Sequence, residues 1–280
     1  MPIYATNLNI IAIYCKIKMR YFAIFAIYCI EMVKEERLQI IIDTLEKDSK
    51  VRLDQLSTLL NVSEDTVRRD IKELDTIGLL KAVRGGAIAR SPIPQHYRDR
   101  EKHHQSHKKI IAAKALHFLQ DGQVVFFDGG TSAMALAAQL PKDLKITVVT
   151  NSFPVANVLE DHPAVEVIFA GGRLHKPAFT TVGQETVDTF RKVHADICIL
   201  GICSLDHTMG ITSMIYEDAQ INLVMISQSQ KTIALTSLEK INTVEPFYVC
   251  PVTDIDVIVT ETEPQNEVLN AYHNLGIEVV

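Results

Sequence analysis

Apolar residues in VKEERLQIIIDTLEKDS fall at Leu38, Ile41, Ile42 and Leu45, the 3,4 spacing of an amphipathic helix. LDQLSTLL repeats that spacing with Leu53, Leu56, Leu59 and Leu60, and Asn61-Val62 interrupts it. Ser63 then supplies an N-cap hydroxyl, followed by Glu64 and Asp65 in the first turn, where the helix dipole favours acids. The pattern predicts a third helix from there to about Asp75, with Gly78 closing the region. LLKAV and AIA flank Arg84-Gly85-Gly86, which reads as a β-hairpin with Gly-Gly in its turn. Three short helices followed by a hairpin make a winged helix-turn-helix over residues 33–90.

The next stretch, SPIPQHYRDREKHHQSHKK, combines two prolines, four histidines and little apolar content. Residues 91–107 therefore read as a linker. From Lys108 the periodicity changes. Continuous apolar runs, VVFFD, ITVVT, VEVIFA, DICILGI, KTIALT and DVIVT, read as buried strands. Helical patterns lie between them: SAMALAAQL, FPVANVLED, QETVDTFRKV, EDAQINLVMISQS and EPQNEVLNAYHNL. Apolar strands spaced by helices indicate a mostly parallel sheet covered on both faces, so residues 108–280 are expected to form an α/β domain.

On a helical wheel beginning at Val67, Ile71 and Leu74 fall within about 60° of one another and face the core, while Arg69 lies near 200°. Lys72 sits near 140°, Arg68 near 100° and Thr66 near 260°. An apolar stripe on one side and Arg, Arg, Lys and a hydroxyl on the other is the division a recognition helix needs. Arginine can chelate guanine O6 and N7 in the major groove or grip phosphate. Asp65, Asp70 and Glu73 offer these bases a competing role as partners in surface ion pairs.

The order of elements, and the run VSEDTVRRDIKELDTIGLLKAVRGGA, resemble the DeoR family of bacterial transcription regulators, whose signature reads VSxxTIRRDLxxLxxxGLLxRxxGGA. That resemblance implies double-stranded operator DNA as partner. It assigns Ser63, Thr66, Arg68, Arg69 and Lys72 to the recognition helix, and Arg84, Gly85 and Gly86 to the wing. Ala82-Val83 departs from the family, which often has an arginine before the wing tip, and implies weaker wing contacts to phosphate. Readers of this type use two-fold related sites, so a homodimer or homotetramer is expected.

Charge is divided unevenly along the chain, in the same direction. Residues 33–109 carry 16 basic against 13 acidic side chains and residues 110–280 carry 9 against 20, within a chain of net charge -6. A mildly basic front and an acidic back suit an anionic partner for the front. Five cysteines without a CxxC pair fit reduced thiols in a cytosolic protein. Residues 1–32 form an apolar extension whose runs, broken by KIKMR, are too short to span a membrane; translation is expected to begin at Met32, and no stable membrane association is expected. Among the histidines, His103 and His107 are spaced i,i+4, but no cysteine or paired carboxylate lies near them in sequence. Neither a metal nor a cofactor is expected.

In the α/β half, Asp128-Gly129-Gly130-Thr131-Ser132 lies between a strand and a helix, where backbone N–H groups and a helix N-terminus favour phosphate. Thr150-Asn151-Ser152 and Ala170-Gly171-Gly172-Arg173 follow the next two strands. Together these turns mark the strand C-termini of an open sheet as a ligand edge. The motifs DGGT, TNS and AGG over residues 108–262 resemble the DeoR effector domain, similar in fold to ribose-5-phosphate isomerase and CoA-transferases. The resemblance implies a phosphorylated sugar effector from carbon metabolism, with Lys240 among its contacts. Departures lie in LGICSLDHTMGIT, which keeps Gly201 and Gly210, in TSLEK, which keeps only Lys240, and at Asn222, where the family has lysine; a non-standard effector or weakened induction follows. The competing class is a sugar-phosphate isomerase-like enzyme with a helical appendage, for which Asp128 or Glu217 could serve as base. No acid–base pair with supporting spacing accompanies either residue, and the expectation is a repressor of a carbohydrate operon rather than an enzyme.

Overall fold

Helices α1 (Lys34–Asp48), α2 (Leu53–Leu60) and α3 (Glu64–Thr76) close on one apolar cluster in the computed structural model. The structure describes residues 33–48 and 50–280, so the expectations for residues 1–32 lie outside the described residues. Val67, Ile71 and Leu74 of α3 are buried as their spacing requires. Ser63 caps α3 by accepting the Thr66 N–H at 3.2 Å. Strands β2 (Leu80–Val83) and β3 (Gly86–Ala89) form the expected hairpin, but its turn is Arg84-Gly85, and Gly86 already belongs to the strand. A third strand, β1 (Lys50–Arg52), pairs antiparallel with β3. Three residues carry too little periodicity to be read as a strand, and pairing with β3 creates it. Gly86 permits that approach, since a Cβ there would overlap the Val51 carbonyl oxygen.

The second domain is built on a seven-stranded parallel sheet. Its strands are β4 (Val124–Phe127), β5 (Thr147–Thr150), β6 (Glu166–Phe169), β9 (Ala195–Gly201), β12 (Ser229–Leu235), β14 (Val257–Val259) and β15 (Glu278–Val279). The spatial order is β15-β14-β12-β9-β4-β5-β6. Successive residues go to opposite faces: Val125 and Phe127 join one core, and Phe126 joins the other. Helices α5 (Gln105–Ala115), α6 (Thr131–Ala137) and α7 (Phe153–Leu159) cover the first face. Helices α8 (Gln184–Arg191) and α9 (Tyr216–Ser227) cover the second. The chain winds β4-β5-β6 to one side and then crosses back to β9 on the other. The C-terminal ends of β4 and β9 therefore form a topological switch point, where open parallel sheets leave a crevice.

Several short elements depart from the sequence reading. Strands β7 (Arg173–His175) and β8 (Thr180–Val182) make a hairpin, and β10 (Ser204–Asp206), β11 (Gly210–Ser213) and β13 (Phe247–Cys250) make a small antiparallel sheet. The helix expected over EPQNEVLNAYHNL shrinks to a 3-10 turn, Glu267–Leu269, and α10 (Asn270–His273). The segment expected as a linker is folded. Its helix α4 (Tyr97–Lys102) docks on the second domain through the Tyr97 N–H, which donates to the Pro177 carbonyl at 2.7 Å, and Tyr97 is buried. Among the described residues no helix is long and apolar enough to cross a membrane.

The two domains are joined at the end of β3. The Val244 N–H donates to the Ala89 carbonyl at 3.1 Å and the Ser91 N–H to Glu245 at 3.2 Å. Arg90 stands between Asp75 at the end of α3 (3.7 Å) and Glu245 of the second domain (3.8 Å). Burial pushes the Glu245 carboxyl up, with Arg90 opposing.

Candidate nucleic-acid interface and ligand cavity

The acids of α3 do not neutralise its outward face. Asp70, facing inward, is chelated by Arg37 of α1, with Nε and Nη2 donating to the two carboxylate oxygens at 2.9 and 3.2 Å. Glu73 pairs with Lys34 at 2.6 Å. Arg68 pairs with Asp65 one turn away, both exposed, an arrangement worth little in water. Arg69 and Lys72 are exposed and form no ion pair among the described residues. Arg84 is exposed at the wing turn, and Arg68, Lys72, Arg84, Gly85 and Gly86 line one groove between α3 and the wing. Ser63 and Thr66 are tied to each other, their hydroxyl oxygens 3.0 Å apart. Of the predicted nucleic-acid residues, Gly86 and Ser63 thus have structural tasks in this fold, as strand contact and helix cap.

At the switch point lies a cavity lined by Asp128, Gly129, Gly130, Thr131, Ser132, Asn151 and Lys240. Residues that sequence reasoning did not assign to it complete the wall: Arg100 from α4, Thr180 from β8, Gly201 at the end of β9, and Asp218 and Asn222 from α9. The Asp128 carboxylate accepts the Gly130 and Gly201 N–H groups at 3.2 and 3.1 Å. The Gly130 N–H expected to face a ligand is therefore already engaged. Gly201 must lack a side chain, because a Cβ would press on the Asp128 carboxylate at 2.9 Å. Lys240 donates to the Ile202 carbonyl at 2.8 Å. The Arg100 Nε, Asn151 Oδ1, Thr180 Oγ1 and Asn222 Oδ1 are buried without a hydrogen-bond partner, a state that native folds keep to a few groups with a reason.

Four predicted ligand residues are outside the cavity. Thr150 donates its hydroxyl to the Phe127 carbonyl at 2.7 Å, and Ser152 caps α7 by accepting the Val155 N–H at 3.3 Å. Gly171 accepts the Thr186 hydroxyl at 2.7 Å, and Gly172, at φ 146°, lets the chain pass Thr186 where a Cβ would overlap. Their polar and glycine-rich character serves strand ends and tight turns.

Residues 37–92 match the DeoR-like helix-turn-helix domain, and residues 103–262 match the DeoR C terminal sensor domain. The chain belongs to the DeoR family. It is 30% identical over 251 residues to the HTH-type transcriptional repressor GlcR of Bacillus subtilis (strain 168), covering 89% of this chain and 96% of that protein. It is 26% identical over 251 residues to the glycerol-3-phosphate regulon repressor of Escherichia coli (strain K12), covering 89% of this chain and 100% of that one. Among solved structures, ribose 5-phosphate isomerase A from Methanocaldococcus jannaschii superposes over 49% of this chain and 54% of its own at a TM-score of 0.37 and 12% identity. This DeoR-family chain is thus a DNA-binding transcriptional regulator.

The cavity sets the cations Arg100 and Lys240 beside the acids Asp128 and Asp218. Burial pushes Asp128 up, and burial together with Asp128 pushes Asp218 up to about 7. Burial pushes the Lys240 ammonium down. Below pH 7 Asp218 is protonated and can donate to an anion; above it the carboxylate repels one. Affinity for an anionic ligand is expected to fall as pH rises through about 7, and Asp218→Asn is expected to remove that part of the dependence. Calorimetric titrations from one pH unit below to one above check it, and an unchanged profile in the variant would assign the titration elsewhere.

Proposed function

We propose that this regulator is a repressor of a carbohydrate-metabolism operon, and that a phosphorylated sugar bound in the switch-point cavity modulates its affinity for operator DNA. The observation that carries the reading is the cavity wall itself. Arg100 and Lys240 provide cationic donors for a phosphate, while Asn151, Thr180 and Asn222 hold buried polar atoms without partners, suited to sugar hydroxyls. The relatives named for repression, one of a glycerol-3-phosphate regulon, support the same class of ligand.

A physical route connects cavity and recognition helix. Lys240 lines the cavity, and its carbonyl accepts the Thr243 hydroxyl at 2.7 Å. Thr243 bridges Ala89 of the wing strand, and Glu245 two residues on faces Arg90, which faces Asp75 at the end of α3. A ligand that moves the turn at Lys240 acts directly on the wing and the end of α3. Assembly as a homodimer or homotetramer presents two such heads to a two-fold site. Coupling of this kind is reciprocal: an effector that weakens operator binding is itself bound more weakly when operator is present.

The test is fluorescence anisotropy of labelled operator against a panel of pentose, hexose and triol phosphates. At least one is expected to shift operator affinity, and none is expected to be turned over when followed by NMR. A panel without effect on operator affinity would remove the effector role, and turnover would favour a sugar-phosphate isomerase.

A further inference from the structure

The histidine run of the interdomain segment has two carboxylates from distant parts of the chain beside it in space. His103 and His104 both aim Nε2 at the Oε2 of Glu239, at 3.0 and 3.4 Å. His107 places its Nδ1 3.3 Å from Glu261. The rings are crowded: His103 and His104 have centroids 4.1 Å apart, and His104 stacks on His107 at 4.8 Å. His104 adopts a left-handed backbone, φ 44° and ψ 50°, although it is not glycine.

From these contacts we propose that His103, His104 and Glu239 form a binding site for a divalent transition-metal ion of the zinc class. The donor atoms of the three residues lie within 4.8 Å of one another. With metal–ligand bonds of about 2.0–2.1 Å, the edge of a tetrahedral site is about 3.3 Å, and the two imidazole–carboxylate separations are 3.0 and 3.4 Å. Two imidazole nitrogens and one carboxylate oxygen suit zinc, cobalt or nickel better than magnesium or calcium, which favour oxygen alone. A small cavity of about 10 Å³ adjoins the donors and has room for a water as a further ligand. Neighbouring cations are engaged away from the donors. Lys108 donates to the backbone carbonyls of Arg100 and His103, and Lys240 to that of Ile202. Glu239 occupies the 3-10 turn Leu238–Lys240, and the two histidines directly follow α4, which carries Arg100. The ion ties the segment bearing one cavity cation to the turn bearing the other, and His107 with Glu261 packs beside it.

The full-length chain, stripped with chelator and equilibrated with Zn²⁺, is the material for the test. Equilibrium dialysis with metal analysis is expected to find a single equivalent per chain at micromolar free Zn²⁺. His104→Ala and Glu239→Gln are each expected to weaken it by more than the about tenfold that even an outer-shell change brings, whereas His162→Ala, far from the cluster in sequence and bonded to the Pro141 carbonyl, leaves it intact. The Co²⁺ form of the unaltered chain gives an independent reading should a variant misfold. Intense visible absorption of a four-coordinate ion supports the site, and the weak spectrum of a hydrated ion contradicts it. Retention of the equivalent after both histidines are replaced, or no equivalent in the unaltered chain, overturns the proposal.

Discussion

Asp70→Ala is expected to destabilise the N-terminal domain by about 3–5 kcal/mol, the usual cost of removing one partner from a buried ion pair. The Asp70 side chain is 4% exposed and that of Arg37 14%, so the substitution removes the carboxylate that chelates a mostly buried guanidinium. Asp70 sits between Val67, Ile71 and Leu74 on the seated face of α3, and the pair fixes α3 against α1. For a domain of this size each kcal/mol moves the thermal midpoint by about 4–8 °C, so a far-ultraviolet circular dichroism melt has ample range. Asp65→Ala, which breaks only the exposed pair with Arg68, is the control and should change stability by about 1 kcal/mol or less. Equal melts for the two variants would mean that the Arg37–Asp70 contact contributes nothing beyond a surface pair.

Arg100→Ala is expected to weaken binding of the phosphorylated effector by about 30-fold or more, from the 2–5 kcal/mol lost when one member of a buried hydrogen-bonded charge pair is truncated. Arg100 lines the cavity, and its Nε is buried without a partner, as a donor awaiting the proposed phosphate would be. Operator affinity without effector should be retained, because Arg100 lies in α4, outside the wing and the recognition helix. Calorimetry with the active sugar phosphate measures the first quantity and anisotropy the second. Undiminished effector affinity in the variant would place the phosphate elsewhere in the cavity.

Legibility in the sequence followed the strength of local periodicity. LDQLSTLL carries four leucines on one helical face and folds as α2 over the residues its pattern covers. The six apolar runs became strands of the parallel sheet, the inner ones because they bury both faces and so contain little but apolar residues, while β6 at the sheet edge is partly exposed. Asp70 was misjudged for the opposite reason. A carboxylate on a helix reads as solvated unless its partner is known, and Arg37 lies 33 residues away. The helix within residues 91–107 was hidden in the same way, since Tyr97 of α4 reaches Pro177 and His103 just after it reaches Glu239, partners that only the folded chain brings near. Arg100 and Asp218, both central to the cavity, carried no local signal. Thr150, Ser152 and Gly171-Gly172 had the composition of a ligand loop, yet hydrogen bonding to strand ends, capping and close packing require the same residue types.

Operator recognition requires an outward face of α3 that is free to meet base edges. Operator selection from random duplexes, followed by titration of the selected site with the unaltered chain and Arg69→Ala, tests this most directly. Enrichment of a two-fold related sequence is expected, with a loss of about ten- to a hundredfold in affinity for the variant, the worth of one bidentate base contact, and an unchanged melt. Failure to enrich any sequence, or equal affinity of the two proteins for the enriched site, would contradict recognition by that face.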